Sequence, residues 1–226
     1  MLSLGLISQA SKVQASIVGR PLFDRKRIEL VVFVGGAGFQ IARSFNELLK
    51  ENEDKTKFRT LIIGDFTYPN GKNAPPSADF QIYMSEAFAW KYSPFVCGPL
   101  YDDRLAFAKS EIEGVRKWVR DNCTSVTAVM GLGGHTGTFA GGAIVEIARE
   151  EHIPVRQIVT TPFSFEGSRN KLAAEYVSRA SPNVYESIVI LDNQDVYSEL
   201  NPTTTLPMAM DYLNKRAAKA ILLNDI

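Results

Sequence analysis

Short runs of aliphatic and β-branched residues recur along this chain with almost no polar interruption: Ile28 to Val34 (IELVVFV), Thr60 to Ile63, Val126 to Met130, Val155 to Val159 and Ser187 to Leu191. A strand with one wet face alternates apolar and polar side chains, whereas a strand covered on both faces reads as a continuous apolar run. These runs therefore predict the strands of a parallel sheet held between two layers of helices.

The intervening sequence supplies the helices. Leu105, Ala108, Ile112, Val115 and Val119 step by three or four residues and make one apolar stripe, and Leu206, Met210, Leu213, Ala217 and Ala220 repeat the rhythm. Strands alternating with helices predict a doubly wound, mostly parallel α/β domain of the Rossmann-like kind, with ligands bound beyond the carboxyl ends of the strands. A length of 226 residues suits one domain, read here as residues 28–226 behind an N-terminal extension of residues 1–27. Thr67 to Pro76 (TYPNGKNAPP) is dense in turn residues and reads as a surface loop, and Pro94 to Pro99 as a second irregular piece.

Composition narrows the function. Lys plus Arg and Asp plus Glu stand at 25 each, so no net field recommends nucleic acid or an anionic membrane as a partner. His135 and His152 are too few for a multi-histidine metal centre, and Cys97 and Cys123 have neither zinc nor disulfide spacing, which fits a reducing cytoplasmic setting. No apolar run approaches the roughly 20 residues needed to span a bilayer, so membrane association is expected only through partners.

Two of the strands run into glycine clusters that open helices. VVFV leads into Gly35, Gly36, Ala37 and Gly38, with Gln40 at the helix start; VTAVM leads into Gly131, Leu132, Gly133, Gly134, His135, Thr136, Gly137 and Thr138. Glycines let backbone amides approach a phosphate and adopt positive φ, and a helix N-terminus adds a dipole that favours anions. Thr136 and Thr138 add hydroxyls. The competing reading is a pair of tight strand-to-helix turns. A dinucleotide fingerprint is a poorer fit, because its third glycine falls near Ile41.

The stretch VTAVMGLGGHTGTFAGGAIVEIAREEHIPVRQIVTTPFSFEG closely resembles the nucleotide-binding half of the FtsZ/tubulin superfamily, whose loop reads GMGGGTGTG in FtsZ and is followed by TxPFxFEG. VGGAGFQIARSF is similar to the tubulin phrase GxxGNQIG, and the resemblance extends in order over residues ~28 to 223. It implies GTP or GDP as ligand, with Mg²⁺ as the accompanying ion. The phosphate-binding residues it implies are Gly35, Gly36, Gly38, Gln40, Gly133, Gly134, His135, Thr136, Gly137 and Thr138. The ribose and base would fall to Glu166, Asn193, Met210 and Asn214. Met210 stands where the family stacks a Phe on guanine, and it is equally read as core of the helical stripe. Lys215 occupies the place of the base-reading aspartate.

Departures from the family pattern set further expectations. Phe39, His135 and Phe139 replace small or polar loop residues, which predicts crowding of the ligand or a changed backbone path. His135 is read either as a phosphate donor or as an exposed loop residue. Asn170 replaces the ribose-binding arginine, and Arg169, one place earlier, points about 100° away on a helix. The family's water-activating acids follow its central helix and act on the next subunit's nucleotide. AILLNDI ends the chain near the start of that loop with Asn224 and Asp225, before the family's C-terminal activation domain. The expectation is a GTP-binding protein of a cytoskeletal, cell-division or membrane-remodelling assembly, self-associating or working with protein partners. Hydrolysis is weak or partner-dependent, and no catalytic residue is assigned. The alternative is a nucleotide-silent adaptor on the same fold.

Overall fold

The computed structural model describes residues 28–51, 57–65, 76–85, 88, 100–180, 186–201 and 203–223. The residues of the N-terminal extension, most of the loops predicted around 67–76 and 94–99, Cys97, Asn224 and Asp225 lie outside the described residues. In chain order the elements are β1 (Glu29–Val34), α1 (Gly35–Lys50), β2 (Phe58–Asp65), β3 (Phe80–Met84), α2 (Tyr101–Ile112), α3 (Val115–Asn122), β4 (Ser125–Gly131), α4 (His135–Glu150), β5 (Val155–Thr161), a short 3₁₀ turn (Ser164–Glu166), α5 (Ser168–Arg179), β6 (Glu186–Asp192), α6 (Asn193–Glu199) and α7 (Leu206–Leu223).

The six strands form one sheet in the order β3-β2-β1-β4-β5-β6, and every neighbouring pair is parallel. The sequence-predicted runs are its inner strands and β6. β3 was not predicted, because it is a half-exposed edge strand without a continuous apolar run: Phe80 and Tyr83 are exposed and only Met84 is buried. Alternate residues of the inner strands face two cores. Val32, Val34, Ala128, Met130 and Val159 pack beneath α2 to α5, while Val31, Phe33, Val129 and Ile158 meet α1 and α7. Burial on both sides is the physical reason these segments read as unbroken apolar runs.

The stripe from Leu105 to Val119 does line one core, but it is carried by two helices that break at Glu113 and Gly114. On α7, Leu213 and Ala217 are buried as the spacing predicts, whereas Leu206 is exposed at the helix start. Arg156 holds the other end of α7: its guanidinium donates to the carbonyl oxygens of Ala220 at 3.2 Å and Ile221 at 2.9 Å, and pairs with Glu29 at 3.4 Å. These are last-turn carbonyls with no partner inside the helix.

Candidate functional site

In an open sheet, the connections leaving two adjacent strands diverge to opposite faces where the strand order reverses, and a crevice opens at their carboxyl ends. Here that point lies between β1 and β4, and both glycine clusters sit on it. α1 leaves β1 for one face and α4 leaves β4 for the other. The loops touch. Gly35 has φ +69°, and a Cβ there would lie 3.1 Å from the Gly137 nitrogen and 3.5 Å from Thr136 Cβ, so only glycine permits the approach.

Within the second loop Gly133 has φ +82° and is roofed by Pro162 and the Arg169 carbonyl, each 2.7 Å from where its Cβ would be. Its N–H donates to Thr138 Oγ1 at 3.0 Å. Thr138 is fully buried and so braces the loop from beneath rather than offering its hydroxyl to the rim. Gly38 is likewise structural: its missing side chain lets α1 lie against Phe33 and Val129 of the sheet. Gly137 backs onto the Gly131 carbonyl. Gly36 and Gly134 are different, because a Cβ on Gly36 would meet nothing within 4 Å and one on Gly134 only the Gly131 oxygen at 3.9 Å. They form the open floor of the crevice.

Neither helix is capped by a side chain at this point, at Val34 before α1 or Gly134 before α4, and neither has an acid in its first turn. The contrast is α6, whose N-cap Asp192 accepts from the Gln194 N–H at 2.7 Å. First-turn N–H groups with no helical partner and an uncompensated positive dipole end make an anion-binding cradle.

The three bulky substitutions in the loops do not crowd that cradle. Phe39 is buried beneath β2, where Gly64 leaves room for its ring. Phe139 is fully buried between Tyr101, at 5.1 Å, and the Arg104 guanidinium, at 5.5 Å. His135 is half-buried rather than an exposed loop residue. The imidazole turns inward, its Nε2 lies 3.1 Å from the Phe88 carbonyl, and it packs on Phe88 and Phe139 with centroids 4.5 and 5.2 Å away. Since a carbonyl only accepts, Nε2 carries the proton. Thr136 lies at the junction of the two loops beside Gly35. Gln40 is exposed and accepts from Arg43 at 3.0 Å.

The remaining predicted residues come from the other side of the crevice. Glu166 is committed twice. One carboxylate oxygen accepts from the Phe163 N–H at 2.9 Å, and the other meets Arg169 at 2.8 Å. Arg169 is thus engaged by Glu166 three residues before it, across Gly167 at φ +59°. Asn170 donates instead to the Phe163 carbonyl at 2.9 Å and stitches the turn shut. Met210 packs half-buried on Phe163, Val196 and Leu213, which ties α7 and α6 to this turn. Asn214 follows one helical turn later and is half-buried; Lys215 points to solvent, paired with Asp211 at 2.8 Å.

Asn193 opens α6. It is 7% exposed, and its Oδ1 is buried with no hydrogen-bond partner. An unsatisfied buried acceptor at the mouth of a cleft costs about 1–3 kcal/mol unless a ligand or water supplies a donor.

This combination, two glycine loops meeting at the switch point of a parallel sheet with uncapped helices behind them, defines a Rossmann-like α/β domain with a crevice suited to an anion. Residues 102–201 match the model described as the GTPase domain of the Tubulin/FtsZ family. The chain is 36% identical over 188 residues to cell division protein FtsZ 2 of Rhizobium meliloti, covering 82% of this chain and 51% of that protein. It is 29% identical to FtsZ of Helicobacter pylori over 85% of this chain and 48% of that one. It therefore spans about half the length of these curated relatives. Among solved structures, an empty FtsZ dimer of M. jannaschii superposes with a TM-score of 0.65 at 20% identity, over 94% of this chain and 57% of that one. CetZ of Methanosaeta thermophila does so at 0.61 and 15%, over 88% and 54%. The chain belongs to the FtsZ/tubulin superfamily.

Proposed function

We propose that this protein binds a guanine nucleotide at the β1/β4 crevice and acts in a filament-type or cell-division assembly. The observation that carries the reading is the open floor at Gly36 and Gly134 between two uncapped helix starts. Phosphates seated there would receive backbone N–H groups from both loops. Glu166 would face the ribose, Asn193 the ribose or the base, and Met210 and Asn214 the base. Among the described residues no three His, Cys, Asp or Glu side chains gather to hold a metal, so Mg²⁺ would sit on phosphate oxygens and water.

The relatives named as cell division proteins support the cellular setting, and a related TubZ was solved as a GTPγS-form protofilament. Hydrolysis in this reading awaits acids from a partner. The alternative, a nucleotide-silent adaptor, draws its support from Phe39, His135, Phe139, Asn170 and Lys215; the first three pack inward, which weakens their part of it, while Asn170 and Lys215 stand as departures. Titration of the 226-residue chain with a fluorescent GTP analogue and Mg²⁺ tests the reading. Saturable binding displaced by GTP is expected, and its absence at micromolar protein overturns the proposal. Phosphate release is then measured alone and with a full-length FtsZ; stimulation by the partner is the expected result.

A further inference from the structure

We infer that the base end of this cleft does not read the 2-amino group of a purine, so that guanine and hypoxanthine nucleotides bind alike; this rests on the nucleotide-site reading above. Guanine presents N1–H and N2–H side by side. A single carboxylate accepts both, whereas one amide oxygen serves one of them.

Among the described residues of the elements around the base end, the carboxylates are engaged through at least one oxygen or lie exposed to water. Glu166 is shared between the Phe163 N–H and Arg169. Asp192 caps α6 through Gln194, and Asp195 is exposed beyond it. Asp211 is held by Lys215, both more than half exposed, and Glu199 pairs with Arg216 at 3.2 Å. Among the described residues here, the buried oxygens that await a partner are Asn193 Oδ1 and Thr161 Oγ1, and both are neutral. The second amide, Asn214, is half-buried, so water replaces any partner it lacks.

The energetic consequence follows from the kind of acceptor. A hydrogen bond to a charged group is worth about 1.5–3 kcal/mol, which is roughly 10–150-fold in affinity, while one between neutral groups is worth about 0.5–1.5. When the lost donor faced a solvated amide, the lower end of the neutral range applies. Deleting the 2-amino group therefore changes affinity by about threefold or less.

The experiment compares displacement of a fluorescent GTP analogue by Mg·GTP and Mg·ITP on the complete chain. Equal affinities within about threefold are expected. Asn193→Ala weakens both nucleotides in parallel, by about tenfold, and leaves their ratio unchanged. Lys215→Ala moves neither, since its ammonium lies outside the cleft. GTP binding with ITP more than about tenfold weaker overturns this inference alone. Failure of both nucleotides to bind overturns the nucleotide-site reading and this inference with it. Because the ratio is read on the unmodified protein, the test survives a variant that does not fold.

Discussion

Replacing Gly36 or Gly134 with alanine separates the fold from the ligand site. In the protein itself the new methyl at Gly36 has no neighbour within 4 Å, and at Gly134 only a carbonyl oxygen at 3.9 Å, so nothing has to move. Neither position has positive φ; Gly134 lies at φ −84° and ψ 147°, which alanine adopts freely. Gly36 lies in the first turn of α1, where alanine is favoured over glycine by up to about 1 kcal/mol. Thermal stability should hold or rise by a few degrees.

In the proposed reading a bound phosphate changes the outcome, because that same space would be its seat. Displacing it from even one backbone N–H removes a charge-assisted bond worth about 1.5–3 kcal/mol, or roughly 10–150-fold in nucleotide affinity. Gly137→Ala is the contrast. Its methyl would be driven into the Gly131 carbonyl, so the loop itself must shift, and overpacking of this kind costs about 1–3 kcal/mol. Calorimetry and nucleotide titration on the three variants give the decision. Tm kept with binding lost is expected for Gly36→Ala and Gly134→Ala, and both lost for Gly137→Ala. Undiminished GTP affinity in the first two would refute the placement of the phosphates.

Restoring the family's glycine at Phe139 should harm rather than help. The ring is fully buried against Tyr101, so Phe139→Gly should cost at least the roughly 3–5 kcal/mol typical of Phe-to-Ala truncation, visible as a lower urea midpoint. Arg116 joins Glu113, Glu150 and Glu151 across α3 and α4, so Arg116→Met should lower stability by about 1 kcal/mol in low salt and less in 1 M NaCl, by denaturant titration. Hydrogen bonds from Lys109 and Arg116 hold the Glu150 carboxyl below its usual range. That contribution is full above the ordinary carboxylate pKa and is lost as pH falls through the lowered one, so the wild-type and Arg116→Met stabilities should converge in acid. Burial pushes the Cys123 thiol up to about 12, so on a Cys97→Ser background it should resist a thiol reagent at pH 8 until the chain is unfolded.

The sheet was legible in the sequence because burial on both faces leaves an unbroken apolar signature, and the cradle because glycine is required where Gly35 meets Gly137 and where Gly133 lies under Pro162. What escaped was direction. Phe39, His135 and Phe139 were expected to crowd the ligand or alter the backbone path, with His135 a phosphate donor or an exposed residue. Yet each lies in the first turns of α1 or α4, whose phase sets its orientation. His135 and Phe139 are four apart and continue into Ala143 and Ile147, all on the face of α4 that packs inward. That spacing was present in HTGTFAGGAIVEI and was a usable signal. The Arg169 to Glu166 contact has ordinary i,i+3 spacing, but it was not considered because Arg169 was weighed only as a stand-in for the ribose-binding arginine. Asn193 was found only through resemblance. That its Oδ1 is orphaned is a fact of packing, which no local pattern encodes.

The same observation bears on how a phosphate loop tolerates change. A backbone cradle depends on where its N–H groups point, so its rim must stay small while its underside is free to vary. In this chain Gly36 and Gly134 stay open while the underside is aromatic: Phe39 over Gly64 on one face, and His135 and Phe139 with Phe88 and Tyr101 on the other. Buried rings resist displacement more than solvated small residues do. A cradle stiffened in this way lowers the ordering cost of binding and leaves less freedom to follow the loss of a phosphate. The affinity gap between nucleoside triphosphate and diphosphate should then reflect the missing contacts alone. Phe139→Leu, which keeps the core filled but removes one of the two rings packed on His135, should weaken both nucleotides by a similar factor. A large change in their ratio would show instead that the aromatic underside takes part in telling them apart.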